Sequence, residues 1–177
     1  MQLMPADDFE KIKAKYIEVI EHTPGMEQYA RWVYGQHPTD ELLQAHLRNN
    51  EMYVLMDQEN IAGMTAVVMH QERDYEAVPW AEMLVNDEAA VLHLLAVCPE
   101  YRGKQLGRVI LEKAVDLAFK NGKKALRLDT LQSHLPAQRM YERSGFSYRG
   151  KQHLYAGNTG WTDFLYYEKL LMRDEGR

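Results

Sequence analysis

A single cysteine, Cys98, occurs in the 177 residues, which excludes an intrachain disulfide framework and every metal site built on a cysteine pair. Nor does any apolar stretch approach the roughly 18 residues a membrane helix requires. The opening MQLMPADDFEKIKAKY carries acidic residues by position 7 and lacks the apolar segment of a secretory leader, so a cytoplasmic protein without a membrane partner is expected. Positive charge is not in excess either: 21 Lys and Arg stand against 26 Asp and Glu, a net charge of −5, which argues against a nucleic-acid partner. There is no internal repeat, no low-complexity tract, and no linker rich in Gly, Pro or Ser. With 46% hydrophobic and 27% charged residues, the composition is that of an ordinary globular chain, and one domain over 1–177 is expected.

What is present reads as a helical start followed by strands. Met1 to Pro5 supplies a stub of strand. Asp7 with Glu10 three residues on resembles a capping box, after which Ile12, Tyr16, Val19 and Ile20 recur at helical spacing up to Thr23-Pro24-Gly25. A second helical piece is expected from about Glu27 to Tyr34, and a third after Thr39, with Leu42, Leu43, His46 and Leu47 on one face. Met52–Met56 and Ile61–Met69 read as a hairpin joined by Asp57 to Asn60. Residues 71–88 form a long acidic link, and links of that length usually serve function or are disordered. Ala125 to Thr130 reads as another strand, a short helix follows between Pro136 and Gly145, and Phe146–Tyr155 and Trp161–Leu171 flank a second hairpin at Gly157 to Gly160. The order predicts an α/β chain with a central mixed β-sheet, helices on both faces, and one right-handed crossover over 91–130.

Between the link and that crossover lies VLHLLAVCPEYRGKQLGR, residues 91–108. The apolar run reads as a strand buried on both faces, and the basic, glycine-bearing turn after it feeds a helical pattern at Leu106, Ile110, Lys113, Ala114 and Leu117. Backbone N–H groups at a helix start lack intrahelical partners and sit at the positive end of the macrodipole, so the turn can hold a phosphate. Arg102, Lys104 and Arg108 add charge beside it. An ordinary solvated turn has the same ingredients.

The wording of the stretch, LAV-x-P-E-Y-R-G-K-x-L-G, resembles the acetyl-coenzyme A signature of the GNAT superfamily, the GCN5-related N-acetyltransferases. That signature, Gln or Arg, two residues, Gly, one residue, Gly or Ala, falls on Arg102, Gly103, Lys104, Gln105, Leu106 and Gly107. Gln105 departs from it, standing where the family usually has glycine and expected to keep an ordinary helical or bridge conformation. ALRLDTLQSHLPAQRMYERSGF, 125–146, is similar to the family's later motif through Ala137, Tyr141, Glu142, Gly145 and Phe146, with His134 where an Asn usually bonds the pantetheine arm. His37-Pro38-Thr39, Asp74-Tyr75, Trp80, Leu92-His93 and Arg127 to Thr130 resemble a group of bacterial members. The resemblance implies the GNAT fold, acetyl-CoA as cosubstrate without a metal, and transfer to a primary amine of a small or amino-acid-like acceptor. It places the cofactor on Leu95, Ala96 and Val97 of the strand, on 102–108, and on His134, Ala137 and Tyr141.

Amide formation from a thioester needs a neutral amine, donors for the developing oxyanion, and an acid for the departing thiolate. His93 suits the base, since an imidazole titrates near neutrality. Strand alternation puts it on a face with Val91, Leu95 and Val97. A similarly placed His in arylalkylamine acetyltransferases, four residues before the same Val, is assigned to proton removal; a core histidine bonded to a carbonyl is the other reading. Tyr141 coincides with the family tyrosine that protonates the sulfur, and a phenol is neutral and a donor at pH 7; a helix tyrosine packed on the sheet is the alternative. The N–H of Leu95 or Val97 could serve the oxyanion. Cys98 could carry an acetyl group or simply pack beside Pro99. Glu82, Trp80, Tyr75, Trp32 and Tyr34 are candidates for the acceptor pocket, to be made by the first helices and the 71–88 link; aromatic residues of this kind also form cores and homodimer contacts. Asp129 could cap a turn or assist the base. The chain thus reads as an acyltransferase, or as a non-catalytic acetyl-CoA-binding module or association subunit.

Overall fold

The computed structural model describes residues 1–172. In chain order the elements are β1 (Gln2–Pro5), α1 (Phe9–His22), α2 (Asp40–Arg48), β2 (Met52–Asp57), β3 (Asn60–Val68), β4 (Ala89–Val97), α3 (Leu106–Lys120), β5 (Ala125–Leu131), α4 (Leu135–Arg143), β6 (Ser147–Ala156) and β7 (Gly160–Leu170). They form one mixed sheet in the order β1-β2-β3-β4-β5-β7-β6, in which β4 and β5 run parallel and the other described neighbours antiparallel. A parallel pair needs a crossover, and α3 provides it. Helix α3 packs on β3, β4 and β5, burying Ile110, Leu111, Ala114 and Ala118. Ile12, Tyr16 and Val19 of α1 and Leu43 of α2 are buried with Leu55, Met64 and Leu94 of the sheet in a second core region. Among the described residues no helix is long and apolar enough to cross a membrane.

Two expectations about the first helices change. The N-cap of α1 is Asp8, whose side chain accepts from the Lys11 N–H at 3.1 Å, rather than Asp7 with Glu10. The expected helix over 27–34 is a run of turns. The Tyr29 N–H reaches the Gly25 carbonyl and the Arg31 N–H the Met26 carbonyl, and then Arg31 adopts φ 57 and the path reverses. Eight residues between stop signals are too few to sustain a helix by themselves; here Met26 and Ala30 are buried instead as anchors of a loop. Thr39 caps α2 as expected, accepting from the Leu42 N–H at 3.1 Å.

The feature that shapes the site is in β4. It pairs with β5 only from Ala89 opposite Ala125 to Leu92 opposite Leu128, although both strands continue. Leu94 takes φ 56, and the register with β3 shifts between Met64 and Ala66. The irregularity is held from both sides: the Thr65 hydroxyl donates to the His93 carbonyl at 2.9 Å, and the buried Tyr16 hydroxyl donates to the Leu94 carbonyl at 2.7 Å. A bulge adds a residue and turns the strand, so β4 and β5 part beyond Leu92. The β5-facing edge of Leu95 to Val97 is left without a strand partner.

The bulge also overturns the expected alternation. Leu95 lies toward α3 and α4, its Cδ2 3.8 Å from where a Cβ on Gly107 would be, whereas His93 stacks against His46 of α2 on the opposite face. His93 and Leu95 do not share a face.

The 71–88 link is ordered by a buried ion pair. Arg127 of β5 and Glu168 of β7 have fully buried side chains, with Nε and Nη2 of Arg127 at 2.9 and 2.8 Å from Glu168 Oε2. The guanidinium also donates to the side chain of Gln71 and the carbonyl of Glu82, and lies 4.3 Å from the Trp80 ring. The Ala81 N–H donates to Glu168 Oε1 at 3.1 Å. A buried guanidinium and carboxylate left unpaired would be costly, and the link supplies the remaining partners.

Candidate active site

Two cavities meet where β4 and β5 part. The first, about 510 Å³, runs along the α3 entrance: Leu95, Ala96 and Val97 line it from the strand, Arg102, Gly103, Gln105, Leu106 and Gly107 from the turn and helix, and His134, Ala137 and Tyr141 from α4 and the residue before it. These eleven residues were all expected at the cofactor, and the fold brings them together. Lys104 and Arg108 do not line the cavity. The Lys104 ammonium sits 5.0 Å over the Tyr101 ring, and Arg108 bonds Gln105 Oε1 at 3.5 Å and faces Glu112. Arg102 is also committed, its guanidinium donating to the His22 carbonyl and the Thr23 hydroxyl at the end of α1.

Gln105 corrects an expectation. As the residue preceding α3 it has φ 58 and ψ 27, the left-handed conformation, so it adopts the geometry glycine would take there rather than a helical or bridge one. The cost of a Cβ in that conformation is borne by the chain. Gly107 is needed for a different reason: a Cβ there would stand 2.5 Å from Met140 Sδ, so its absence sets the approach of α4 to α3.

His134 lines both cavities. Burial pushes its pKa down to about 4, so the ring is neutral at pH 7, and its Nδ1 is buried with no hydrogen-bond partner among the described residues. Such a group calls for a ligand. Together with the unpaired edge of Leu95 to Val97, it fits an amide-bearing arm laid along β4. Tyr141 likewise lines both cavities. Its pKa is raised, first by burial and then by the negative field of Asp129, which keeps the phenol protonated at any working pH.

The second cavity, about 420 Å³, is lined by Trp32, His37, Leu42, His46, Glu72, His93, Asp129 and, from the far end of the sheet, Ala156, Asn158 and Phe164. His93 Nε2 is buried and makes no aligned hydrogen bond, while Glu72 Oε1 lies 3.4 Å away. Burial lowers the His93 pKa, but Glu72, Asp129 and Asp74 outweigh it and the net shift is upward. Asp129 accepts from the buried Tyr75 hydroxyl, and burial pushes its own carboxyl up. His46 Nδ1 is 2.7 Å from Glu51 Oε2.

Of the acceptor-pocket candidates, Trp32 lines this cavity and Tyr75 supports it through Asp129. Glu82 and Trp80 line a separate groove and Tyr34 another, its hydroxyl bonded to Asp40 at 2.6 Å. Tyr75 is 1% exposed, so it offers no association surface; Tyr155 and Trp161, beside the β6–β7 turn, are exposed, as are Phe119 and Tyr148. The hairpin's contribution through Ala156, Asn158 and Phe164 was not expected, nor was Glu72. Cys98 is fully buried with its thiol pushed up to about 11 by burial, and it lines neither cavity.

Residues 18–146 match the acetyltransferase (GNAT) family. The chain belongs to that family. The fold of this GNAT protein is shared with an acetyltransferase of the GNAT family from Streptococcus agalactiae, with a TM-score of 0.73, 19% identity, and coverage of 97% of this chain and 96% of that one. It is shared also with yncA from Salmonella typhimurium, whose structure holds its cofactor acetyl-CoA, with a TM-score of 0.66, 18% identity, and coverage of 100% and 97%. Among curated relatives, a Bacillus subtilis protein assigned as a ribosomal protein bS18-alanine N-acetyltransferase is 32% identical over 77 residues, 44% of this GNAT protein and 50% of the relative. The spore coat polysaccharide biosynthesis protein SpsD of Bacillus subtilis is 26% identical over 98 residues, 55% of this chain and 34% of the relative. The chain therefore spans half or less of those curated relatives.

Proposed function

We propose that the protein is an N-acetyltransferase that moves the acetyl group of acetyl-CoA directly onto the primary amine of a small acceptor. The observation that carries this reading is the junction of the two cavities at Leu95, His134 and Tyr141, directly beside the parted strands. Acetyl-CoA, when bound, supplies the activated acyl group. The residues able to hold it are the α3 entrance with its free N–H groups, the unpaired edge of Leu95 to Val97, and the orphaned His134 Nδ1.

From the acceptor side, His93 takes the proton that the amine must lose before its lone pair can form the C–N bond. The main-chain N–H of Leu95 or Val97 serves the negative charge that develops on the carbonyl oxygen. As the C–S bond breaks, Tyr141 gives its phenolic proton to the sulfur, and the second proton, shed by the nitrogen once the C–N bond has formed, restores the phenol; the role suits a hydroxyl that is neutral and sits at the junction. Direct transfer is favoured over an acetylated cysteine because Cys98 is buried, its thiol is held protonated, and it is outside both cavities.

Tyr141→Phe is the test, read by thiol release with a panel of amines and by calorimetry with coenzyme A. Turnover should fall by about 10²-fold or more, the usual scale for a general acid, with the coenzyme A dissociation constant little changed. Unchanged turnover would remove the phenol from the reaction, and a wild-type protein that binds coenzyme A tightly yet acetylates nothing would be a binding module.

A further inference from the structure

We infer that the acceptor is a compact cationic amine that carries no carboxylate, so that a free amine is taken and the amino acid of the same skeleton is refused. This rests on the transfer reaction proposed above and deepens it. Every formally charged side chain lining the acceptor cavity is either a carboxylate, Glu72 or Asp129, or a histidine. No lysine or arginine is among them. Both imidazoles that could meet a carboxylate already face one: His46 Nδ1 lies 2.7 Å from Glu51 Oε2 and His93 Nε2 lies 3.4 Å from Glu72 Oε1. His37 is held neutral, since burial lowers its pKa. Among the described residues Asp129 has the Tyr75 hydroxyl as its hydrogen-bond partner and no ion pair, so the lining offers carboxylates to an ammonium group and no lysine or arginine to a carboxylate.

The basic residue on the loop that forms the rim is Arg31, and it is turned away. Its Nη2 donates to the Thr159 carbonyl at 3.2 Å, and the side chain lines a different groove. A carboxylate on the acceptor would meet Asp129 and Glu72 with no lysine or arginine lining the cavity to receive it, and like charges brought together repel. An ammonium group would find the opposite situation, with the Trp32 and Phe164 rings on the same wall able to face a cation. The cavity, about 420 Å³, is at the small end of the range for ligand sites. This preference differs from what the name of the Bacillus subtilis relative says of that protein, a ribosomal-protein alanine as acceptor.

Matched pairs differing only in the carboxylate test the inference: phenethylamine against phenylalanine, and cadaverine against lysine. Initial rates of thiol release from acetyl-CoA should favour the amine of each pair by ~100-fold in kcat/KM, the equivalent of a few kcal/mol. Asp129→Asn should narrow that ratio by about tenfold, and because both acceptors share one catalytic step, the ratio is insensitive to damage common to the two. Should Asp129→Asn fail to fold, Glu72→Gln, whose side chain is 46% exposed, gives the same reading. Calorimetric titration of each compound into protein saturated with coenzyme A keeps recognition separate from chemistry. Amines that bind without being acetylated would sink the transfer reaction and keep the recognition; amino acids that bind or react as well as their amines, or a ratio unmoved in both variants, would overturn the inference.

Discussion

Gln105→Gly isolates the one residue at the α3 entrance that departs from the family pattern. Its φ of 58 and ψ of 27 place an L side chain in the left-handed region. There the Cβ crowds the following carbonyl at a cost of about 1–2 kcal/mol. Glycine removes the clash but gives the unfolded chain more freedom, which offsets about 0.5–1 kcal/mol. The side chain itself contributes little, since its one contact is a 3.5 Å exposed bond from Arg108. The expected net is a stabilisation of about 0.5–1 kcal/mol, or roughly 2 °C in Tm for a chain of this length. Gln105→Ala is the control, because it deletes the contact and keeps the Cβ, so it should leave stability nearly unchanged. Urea unfolding of the three proteins, read by circular dichroism, gives the order Gly above Gln and Ala. Coenzyme A should bind the Gly variant at least as tightly as the parent. A Gly variant less stable than the Ala variant would show that residue 105 is not left-handed in solution, and the strained entrance with it.

Three other outcomes follow from the same structure. Tyr16→Phe strands the Leu94 carbonyl, buried and without its donor, and should cost about 1–3 kcal/mol in denaturant unfolding; a loss within error would mean the bulge holds itself. Arg127→Met leaves Glu168 buried with Arg149 as its remaining cation and should cost about 3–5 kcal/mol, most of it recovered in the double variant with Glu168→Leu; equal losses in single and double variants would refute the pairing. For pH, His93 must be neutral to accept a proton, so kcat/KM rises as pH passes upward through its pKa. Because neighbouring carboxylates outweigh burial and raise that pKa, the limb should lie above the ordinary imidazole value of about 6.5. Glu72→Gln removes the largest raising contribution and should move the limb to lower pH, and a limb that stays put would exclude His93 or its pairing with Glu72.

Much of this arrangement was legible in the residues. The 91–108 and 125–146 stretches are local patterns, a strand and a turn of set composition leading into a helix, and eleven of the expected cofactor residues line one cleft. What stayed hidden depends on contacts distant in the chain. The bulge at Leu94 is fixed by Thr65 and by Tyr16, which lies 78 residues away, so simple alternation wrongly put His93 and Leu95 on one face. Glu72 sits in a link with no periodicity, and its meeting with His93 is a product of the whole sheet. The 27–34 segment has helical spacing but is too short to follow it without tertiary support. A cue to the pairing does lie in the residues: Arg127 sits among apolar neighbours in β5 and Glu168 follows Phe164 to Tyr167 in β7, and opposite charges in buried strands need one another.

That ion pair has a consequence for engineering. The 71–88 link is largely exposed at Asp74, Glu76 and Met83, which invites its exchange for the loop of another family member. Yet its backbone at Ala81 and Glu82 and its Gln71 side chain complete the coordination of two charges that belong to β5 and β7. A transplanted loop would abandon a guanidinium and a carboxylate in the interior unless positions 127 and 168 travelled with it. Altering acceptor choice through this wall therefore means moving three separated stretches of chain together, and single-loop chimaeras should fail by unfolding before they reveal any change in selectivity.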